Sequence, residues 1–126
     1  MNITLQDWTY TIASVGYTFH MNDANDKFRA YFSNYYSPNF VPDDLSSNSG
    51  MPFSTHDRPD PNLCAVQMMA GWWYNYCAFA LPTGKRYPHP NYTPSGKYYD
   101  GLFYTGWKGY GYDYSMLYIK IDLGKY

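Results

Sequence analysis

The residues best suited to acid–base or metal chemistry are three histidines, and the sequence around them does not complete a site. His20, His56 and His89 share no spacing typical of metal ligands, so we interpret them as surface or core residues. His56 stands beside Asp57, and such a pair could serve as an acid–base couple. No recognisable motif places a nucleophile for that pair. The sequence therefore predicts that the chain is not an enzyme.

An excess of aromatic side chains is the second notable feature. The 126 residues include 17 Tyr, 7 Phe and 4 Trp. Tyr and Trp combine an apolar body with a polar tip, which suits a recognition surface; a β-rich fold packed with rings is the alternative. Trp72 and Trp73 could stack on sugars, but neighbours along a strand face opposite ways, so at least one is expected in the core. Tyr110, Tyr112 and Tyr114 would form either a pocket wall or a sheet face.

Charge and hydropathy argue against two classes of partner. The formal net charge is −1, with nine basic and ten acidic residues scattered along the chain. No basic stripe could follow a phosphate backbone, so we do not expect nucleic acid as a partner. No run of about 18 apolar residues is present, so we do not expect a membrane span.

Three features of the sequence bear on its compartment. Residues 1–18 lack the basic start and apolar middle of a signal peptide, so we expect an excised domain, a fragment or a product that has lost its leader. Two cysteines are consistent with secretion. Asn2 and Asn91 begin Asn-Ile-Thr and Asn-Tyr-Thr, both acceptor patterns for N-glycosylation. The cysteines and the two acceptor patterns favour a secreted, extracellular glycoprotein.

The hydrophobic pattern predicts a single domain built on a sheet. Alternating residues predict strands at Tyr10 and Ile12, at 17–21 after a break at Gly16, at 28–32 and at 117–123. Frequent Pro and Gly from Pro38 onward predict loops, with at most one helical turn opening near Asp43. The predicted fold class is α+β: an antiparallel twisted sheet with a large irregular, loop-rich lobe and little helix.

Four segments of the chain, in order and spacing, resemble the fibrinogen-like C-terminal domain found in fibrinogen, ficolins, angiopoietins and tachylectins. They are residues 22–29 (Asn-Asp-Ala-Asn-Asp-Lys-Phe-Arg), 44–58 (ending Ser-Gly-Met-Pro-Phe-Ser-Thr-His-Asp-Arg), 64–77 (Cys-Ala-Val, Gly-Trp-Trp-Tyr, Cys) and 101–116 (Gly-Leu, Trp-Lys-Gly, Tyr-Ser-Met). The resemblance covers about residues 17–122 and corresponds to the C-terminal half of that family's domain.

The resemblance implies an organisation for the whole chain. Residues 1–126 would form one partial domain, with 1–37 and 116–124 in the sheet and 38–115 in a ligand-binding lobe. The spacing of Cys64 and Cys77 matches the family's second disulfide, worth roughly 3 kcal/mol by constraining the unfolded chain. The family inserts its last strand into a larger sheet, so an apolar strand edge here would favour association into a homo-oligomer.

The resemblance also implies a calcium site, in an altered form. Calcium needs six to eight oxygen ligands, and the family supplies aspartates at alternating positions after Phe-Ser-Thr. Pro59 and Pro61 occupy those positions here. Asp57, Asp60 and the carbonyl of Asn62 could form a rearranged site, so we expect weak calcium binding or none; a proline-stiffened turn is the alternative.

In sugar-binding members of the family, an aromatic pocket accepts the methyl of an acetyl group. A backbone amide at the second cysteine, presented through a cis peptide bond, binds the acetyl oxygen. By resemblance, the cis bond would join Tyr76 to Cys77. The pocket residues would be Met68, Tyr76, Cys77, Ala78, Tyr99 and Tyr114.

Two of these positions depart from the lectin pattern and leave two functions open. Met68 stands where Tyr is usual, and Ala78 where His or Tyr is usual. The apolar character is kept while a hydrogen-bonding side chain is lost. The leading hypothesis is recognition of glycans or acetylated ligands. The alternative is a protein–protein or adhesive module without lectin activity.

Overall fold

The computed structural model describes residues 1–124 as a four-stranded sheet joined to a lobe of loops. The strands are β1 (Asn2–Gln6), β2 (Ile12–Met21), β3 (Ala30–Tyr36) and β4 (Tyr118–Asp122), and the single α-helix of the described part is α1 (Cys64–Gln67). Short 3-10 turns lie at Ala24–Asp26, Ser46–Asn48 and Trp107–Gly109. The predicted architecture, an antiparallel sheet with a loop-rich lobe and little helix, is confirmed.

The sheet has the strand order β3-β2-β1-β4, and all three pairings are antiparallel. In the middle of the sheet, Leu5 of β1 lies opposite Ala13 of β2 and Ile119 of β4. Alternate residues of β1 and β2 are buried, including Ile3 and Val15. One face of the sheet therefore packs on the lobe, as the period of two along a half-buried strand requires.

The predicted hairpin between β2 and β3 is present. Asp23 begins the turn, where its side chain accepts a hydrogen bond from the Asn25 amide. Beyond the turn, Ala30 and Phe32 of β3 are buried as the alternation predicted. Phe28, which was expected in the strand, lies before it with its side chain 45% exposed.

The strand predicted at Tyr10 and Ile12 begins only at Ile12, the first residue of β2. Tyr10 lies in the β1–β2 connection with a positive φ of 65°, and both side chains are more than half exposed. β2 runs through Gly16 without a break; the irregularity there is a shift in the pairing of β2 with β3 between Gly16 and Thr18. Such a bulge adds residues to one strand and leaves the other continuous.

The last strand was correctly predicted. Ile119 and Ile121 of β4 pack against the core, and Lys120 and Asp122 point to the exposed side. Leu123 follows the strand and is exposed.

The lobe, residues 38–115, is held by buried rings and polar contacts rather than by strands of its own. Trp72, Tyr74, Phe103 and Tyr104 are its largest fully buried side chains. Isolated bridges such as Ala80 with Tyr104 join its loops. Within residues 1–124, no helix has the length and apolar character to cross a membrane.

Candidate functional site

The Cys64–Cys77 disulfide predicted by resemblance is present. Cys64 is the first residue of α1, and its Cα lies 5.6 Å from that of Cys77. The peptide bond between Tyr76 and Cys77 is cis, as the resemblance implied. The disulfide attaches the 73–77 loop to α1.

Asn48 also holds the 73–77 loop in place. Its side chain is fully buried, and its amide donates to the carbonyl oxygens of Trp73 at 2.8 Å and of Cys77 at 3.1 Å. The Asn75 backbone amide also donates to the Cys77 carbonyl, at 2.7 Å. The Cys77 carbonyl therefore accepts two hydrogen bonds, whereas the Cys77 amide has no acceptor among residues 1–124.

A shallow cavity of about 440 Å³, here called the aromatic depression, lies beside Cys77. It is lined by Met68, Tyr76, Cys77, Ala78, Lys97, Tyr98, Tyr99 and Tyr112. Met68 and Ala78 are almost fully buried, whereas Tyr76 and Tyr99 are 70% and 40% exposed. Two buried apolar side chains thus lie beside more exposed tyrosine rings.

The tyrosine rim is held in place by a buried neighbour, Tyr92. Its hydroxyl donates to the Tyr112 carbonyl at 2.7 Å and accepts from the Gly101 amide at 3.0 Å. Gly101 must lack a side chain, because an added Cβ would lie 2.7 Å from the Tyr92 ring. Tyr99 packs edge-on against Tyr92 and stacks on Tyr112 with 6.0 Å between centroids in each pair. Burial raises the pKa of Tyr92 and of Tyr112, so both hydroxyls stay protonated at neutral pH.

Five of the six predicted ligand residues line this depression, and Tyr114 does not. The Tyr114 hydroxyl instead accepts from the Trp8 amide at 3.0 Å, and its ring stacks on Tyr110 at 3.7 Å. Tyr112 stands in its place. Gly111 has a φ of 76°, a left-handed conformation that breaks the alternation of the three tyrosines, so they do not share one face.

Four further lining or supporting residues were not predicted. Lys97 and Tyr98 lie in a polar loop, and Asn48 and Tyr92 are recognisable only from their contacts. One feature of the sequence indicated that Tyr112 could be a lining residue, namely the interleaved Tyr-Gly-Tyr pattern.

The tryptophans and histidines lie away from the depression. Trp72 is buried, and Trp73 is partly buried among Phe rings with its indole N–H donating to the Phe28 carbonyl at 2.8 Å. The histidines are exposed, and their placements differ: His20 stacks on Tyr31, His89 lies within hydrogen-bond distance of the Asn91 carbonyl, and His56 precedes Asp57 in a loop.

The aspartates of the expected calcium site are turned to other partners. Both carboxylate oxygens of Asp60 accept backbone amides, from Cys64 at 3.0 Å and Ala65 at 2.9 Å. Asp57 accepts the hydroxyl of Thr55 at 2.8 Å. No group of three or more His, Cys, Asp or Glu that could hold a metal occurs among the described residues. This donor set does not fit the six to eight oxygens that calcium requires.

Comparison with known proteins places these features in a family. A family model described as fibrinogen beta and gamma chains, C-terminal globular domain, matches residues 1–124. The chain is 30% identical to the fibrinogen beta chain of Gallus gallus over 94% of its own length and 31% of that protein. It is 33% identical to the fibrinogen beta chain of Petromyzon marinus over 61% of this chain and 18% of the relative.

Solved structures show the same relationship. The fibrinogen-like globe domain of human ANGPTL6 superposes with a TM-score of 0.82 at 28% identity, over 94% of this chain and 52% of that one. Lamprey fibrin D-dimer, complexed with the peptide Gly-His-Arg-Pro-amide, gives a TM-score of 0.77 at 27% identity, over 94% and 42%. The chain spans less than a third of these fibrinogen beta chains and about half of the globe domain. It belongs to the family of fibrinogen C-terminal globular domains.

Proposed function

We propose that this chain is an extracellular, non-catalytic recognition module that binds the acetyl group of a glycan or another acetylated ligand in the aromatic depression. Membership of the fibrinogen family makes it a recognition or protein-interaction module; the acetyl ligand is the finer proposal. The observation that carries it is that Cys77, whose amide has no acceptor in residues 1–124, lines an apolar, tyrosine-rimmed cavity.

The two parts of an acetyl group suit the two parts of this depression. Its carbonyl oxygen needs a donor, which the Cys77 amide supplies. Its methyl group needs an apolar surface, which Met68 and Ala78 supply, and burying one such group contributes about 0.8 kcal/mol. The exposed rings of Tyr76 and Tyr99 offer flat surfaces to the rest of the ligand.

The affinity of one such site is expected to be low. Neither Met68 nor Ala78 carries the hydroxyl or imidazole usual at these positions in related lectins, so one donated amide fixes the ligand. A hydrogen bond of about 1 kcal/mol and a methyl contact of about 0.8 kcal/mol together correspond to a dissociation constant on the order of 10⁻² M, which contacts with the tyrosine rings would lower.

The extracellular location follows from the same features. The Cys64–Cys77 disulfide is of the kind that persists in oxidising compartments. In this compartment Asn2 and Asn91, both exposed, would be available for glycosylation.

A peptide or protein ligand is the second candidate, favoured by the peptide bound to the lamprey fibrin neighbour. That peptide carries an arginine, whose guanidinium group makes its strongest contacts with carboxylates. The depression is lined by none, and Lys97 is its single charged residue within the described part of the chain. A protein ligand at this position would therefore present a neutral or acidic segment, not a basic one.

A binding screen with paired ligands tests the proposal. Labelled folded protein would be titrated with acetylated sugars and peptides, each beside its non-acetylated counterpart, and with Gly-His-Arg-Pro-amide, up to concentrations above the expected dissociation constant, and amide chemical shifts would report binding. We expect saturable binding of the acetylated members alone, loss with Tyr99→Ala, and no change with Tyr36→Ala, an exposed tyrosine on β3. Equal binding of both members of each pair, or no binding by folded protein at these concentrations, would contradict the proposal.

A further inference from the structure

A second cavity, here called the hairpin cavity, lies between the tip of the β2–β3 hairpin and the loop at residues 52–61. Its volume is about 620 Å³, within the range of small-molecule sites. It is lined by Ala24, Lys27, Phe28, Pro52, Phe53, Ser54, Thr55, Arg58, Pro59, Asp60 and Pro61. It shares no lining residue with the aromatic depression.

The walls of the hairpin cavity are apolar and held in place. Phe28 and Phe53 provide two rings, and prolines 52, 59 and 61 add rigid apolar surface. Lys27 and Phe28 both have left-handed backbone conformations, with φ of 52° and 54°. The backbone is fixed there because the Phe53 amide donates to the Lys27 carbonyl at 2.9 Å and the Phe28 amide donates to that of Asp23 at 3.0 Å. The Phe28 ring is thus kept partly exposed beside the cavity instead of entering the core.

Two cations line the hairpin cavity without a partner. Lys27 and Arg58 are exposed, and neither side chain takes part in the ion pairs found among residues 1–124, which are Arg29 with Asp26 and Lys108 with Asp7. The one lining carboxylate, Asp60, is buried and directs both oxygens to the backbone amides at the start of α1. The neighbouring Asp57 is not a lining residue and accepts the Thr55 hydroxyl. Asp26 and Asp57 are near enough to Lys27 and Arg58 to balance part of their charge, but neither cation forms an ion pair among residues 1–124. The cavity therefore offers two cations with unused donors beside an apolar surface.

We propose that the hairpin cavity binds a small organic anion that carries a flat apolar ring. The ring would lie against Phe28, Phe53 and the prolines, and a carboxylate or comparable group would accept charge-assisted hydrogen bonds from Lys27 and Arg58. Neutral ligands would lack the second contact, and cations would be repelled. This site is independent of the acetyl ligand proposed for the aromatic depression.

The test uses 1-naphthoate and its uncharged counterpart 1-naphthamide as probes, followed by amide chemical shifts of the labelled protein. Naphthoate should bind saturably and shift amides in residues 24–28 and 53–58. Naphthamide should bind about tenfold more weakly, because it lacks the charge-assisted contact. The Lys27→Gln/Arg58→Gln double variant should lose about tenfold in naphthoate affinity and keep its weaker affinity for naphthamide. Both replaced side chains are exposed, and unchanged near-ultraviolet circular dichroism would confirm folding.

Lys97→Gln is the matched control, since Lys97 lines the aromatic depression. We expect it to leave naphthoate binding unchanged. Three results would overturn the proposal: no naphthoate binding, equal affinity for the two probes, or shifts centred on residues 76–78 and 97–99 with loss of binding in Lys97→Gln.

Discussion

Asn48 donates a hydrogen bond to the carbonyl of Cys77 at 3.1 Å, across 29 residues of sequence. The contact joins the 3-10 turn at Ser46–Asn48 to the loop that presents the Cys77 amide. The backbone orientation of the proposed ligand site thus depends on a buried side chain that makes no contribution to its lining.

Replacing Asn48 by Ala should lower the free energy of unfolding by about 2 kcal/mol, because the Trp73 carbonyl loses its Asn48 donor and the Cys77 carbonyl keeps only the Asn75 amide. Asn75→Ala is the control, since the Asn75 side chain donates to the Ser47 carbonyl in an exposed position and should cost roughly 0.5 kcal/mol. Urea denaturation of both variants measures the difference. Equal, small losses would show that Asn48 does not hold the loop.

Asp7 should make stability depend on pH. Its fully buried carboxylate accepts from Lys108 Nζ at 2.7 Å and from the Tyr110 hydroxyl at 2.5 Å. Burial alone would raise its pKa, but these hydrogen bonds and those from Thr9 and Thr11 outweigh burial, so the pKa of Asp7 lies well below its ordinary range. Its stabilisation is therefore present above the unfolded pKa of about 4 and is lost as the pH falls below that value.

The comparison of wild type with Asp7→Asn measures this contribution. At pH 7 the variant should be less stable by about 2 kcal/mol, as expected for lost hydrogen bonds to a charged group. The two proteins should converge as the pH falls below 4. Asp44→Asn should change the pH dependence of stability in the opposite direction. Burial raises the pKa of Asp44, so the wild type loses stability relative to this variant as the pH rises through the Asp44 pKa. A constant gap between wild type and Asp7→Asn from pH 7 to pH 2 would contradict the assignment.

How far the sequence predicts this fold depends on whether the signal is local. The β2–β3 hairpin and β4 alternate clearly, and both were predicted. β1 was not predicted although Ile3 and Leu5 alternate, because this five-residue strand offers only two such positions and one of its two partners, β4, lies more than a hundred residues away. Tyr10 was wrongly placed in a strand because its alternation with Ile12 does not reveal the left-handed turn at Tyr10, after which β2 begins.

The aromatic depression was located by resemblance and not by periodicity. Tyr76, Cys77 and Ala78 follow directly from the spacing of the two cysteines. The spacing of the cysteines does not distinguish Tyr112 from Tyr114. The left-handed backbone at Gly109 and Gly111 decides which of the two rings faces the cavity. Asn48 and Tyr92 act through long-range hydrogen bonds, which no local pattern encodes.

Restoring a hydrogen-bonding side chain should strengthen acetyl recognition. Ala78→His adds a donor at a lining position, and one hydrogen bond corresponds to about a twofold to tenfold gain in affinity. Ala78→Val, which adds bulk without a donor, is the control. Dissociation constants for N-acetylglucosamine, measured by titration, compare the three proteins; a His variant no tighter than the Val variant would contradict the expectation.

Calcium binding should be weak or absent. Asp60 is committed to the amides of α1, and Pro59 and Pro61 supply no carboxylate. Calorimetric titration of chelator-treated protein should give a dissociation constant on the order of 10⁻³ M or above. Micromolar binding that disappears in Asp57→Ala, an exposed position, would show that the loop forms a calcium site.

The most direct test of the proposed function is the chemical shift of the Cys77 amide proton during titration with N-acetylglucosamine, with glucose as the matched sugar that lacks an acetyl group. A new hydrogen bond to the acetyl oxygen should move this proton downfield in a saturable manner, together with the amides of Tyr76 and Ala78. Glucose should leave it unchanged. A Cys77 amide that does not respond to N-acetylglucosamine, or that responds equally to both sugars, would contradict acetyl recognition at this site.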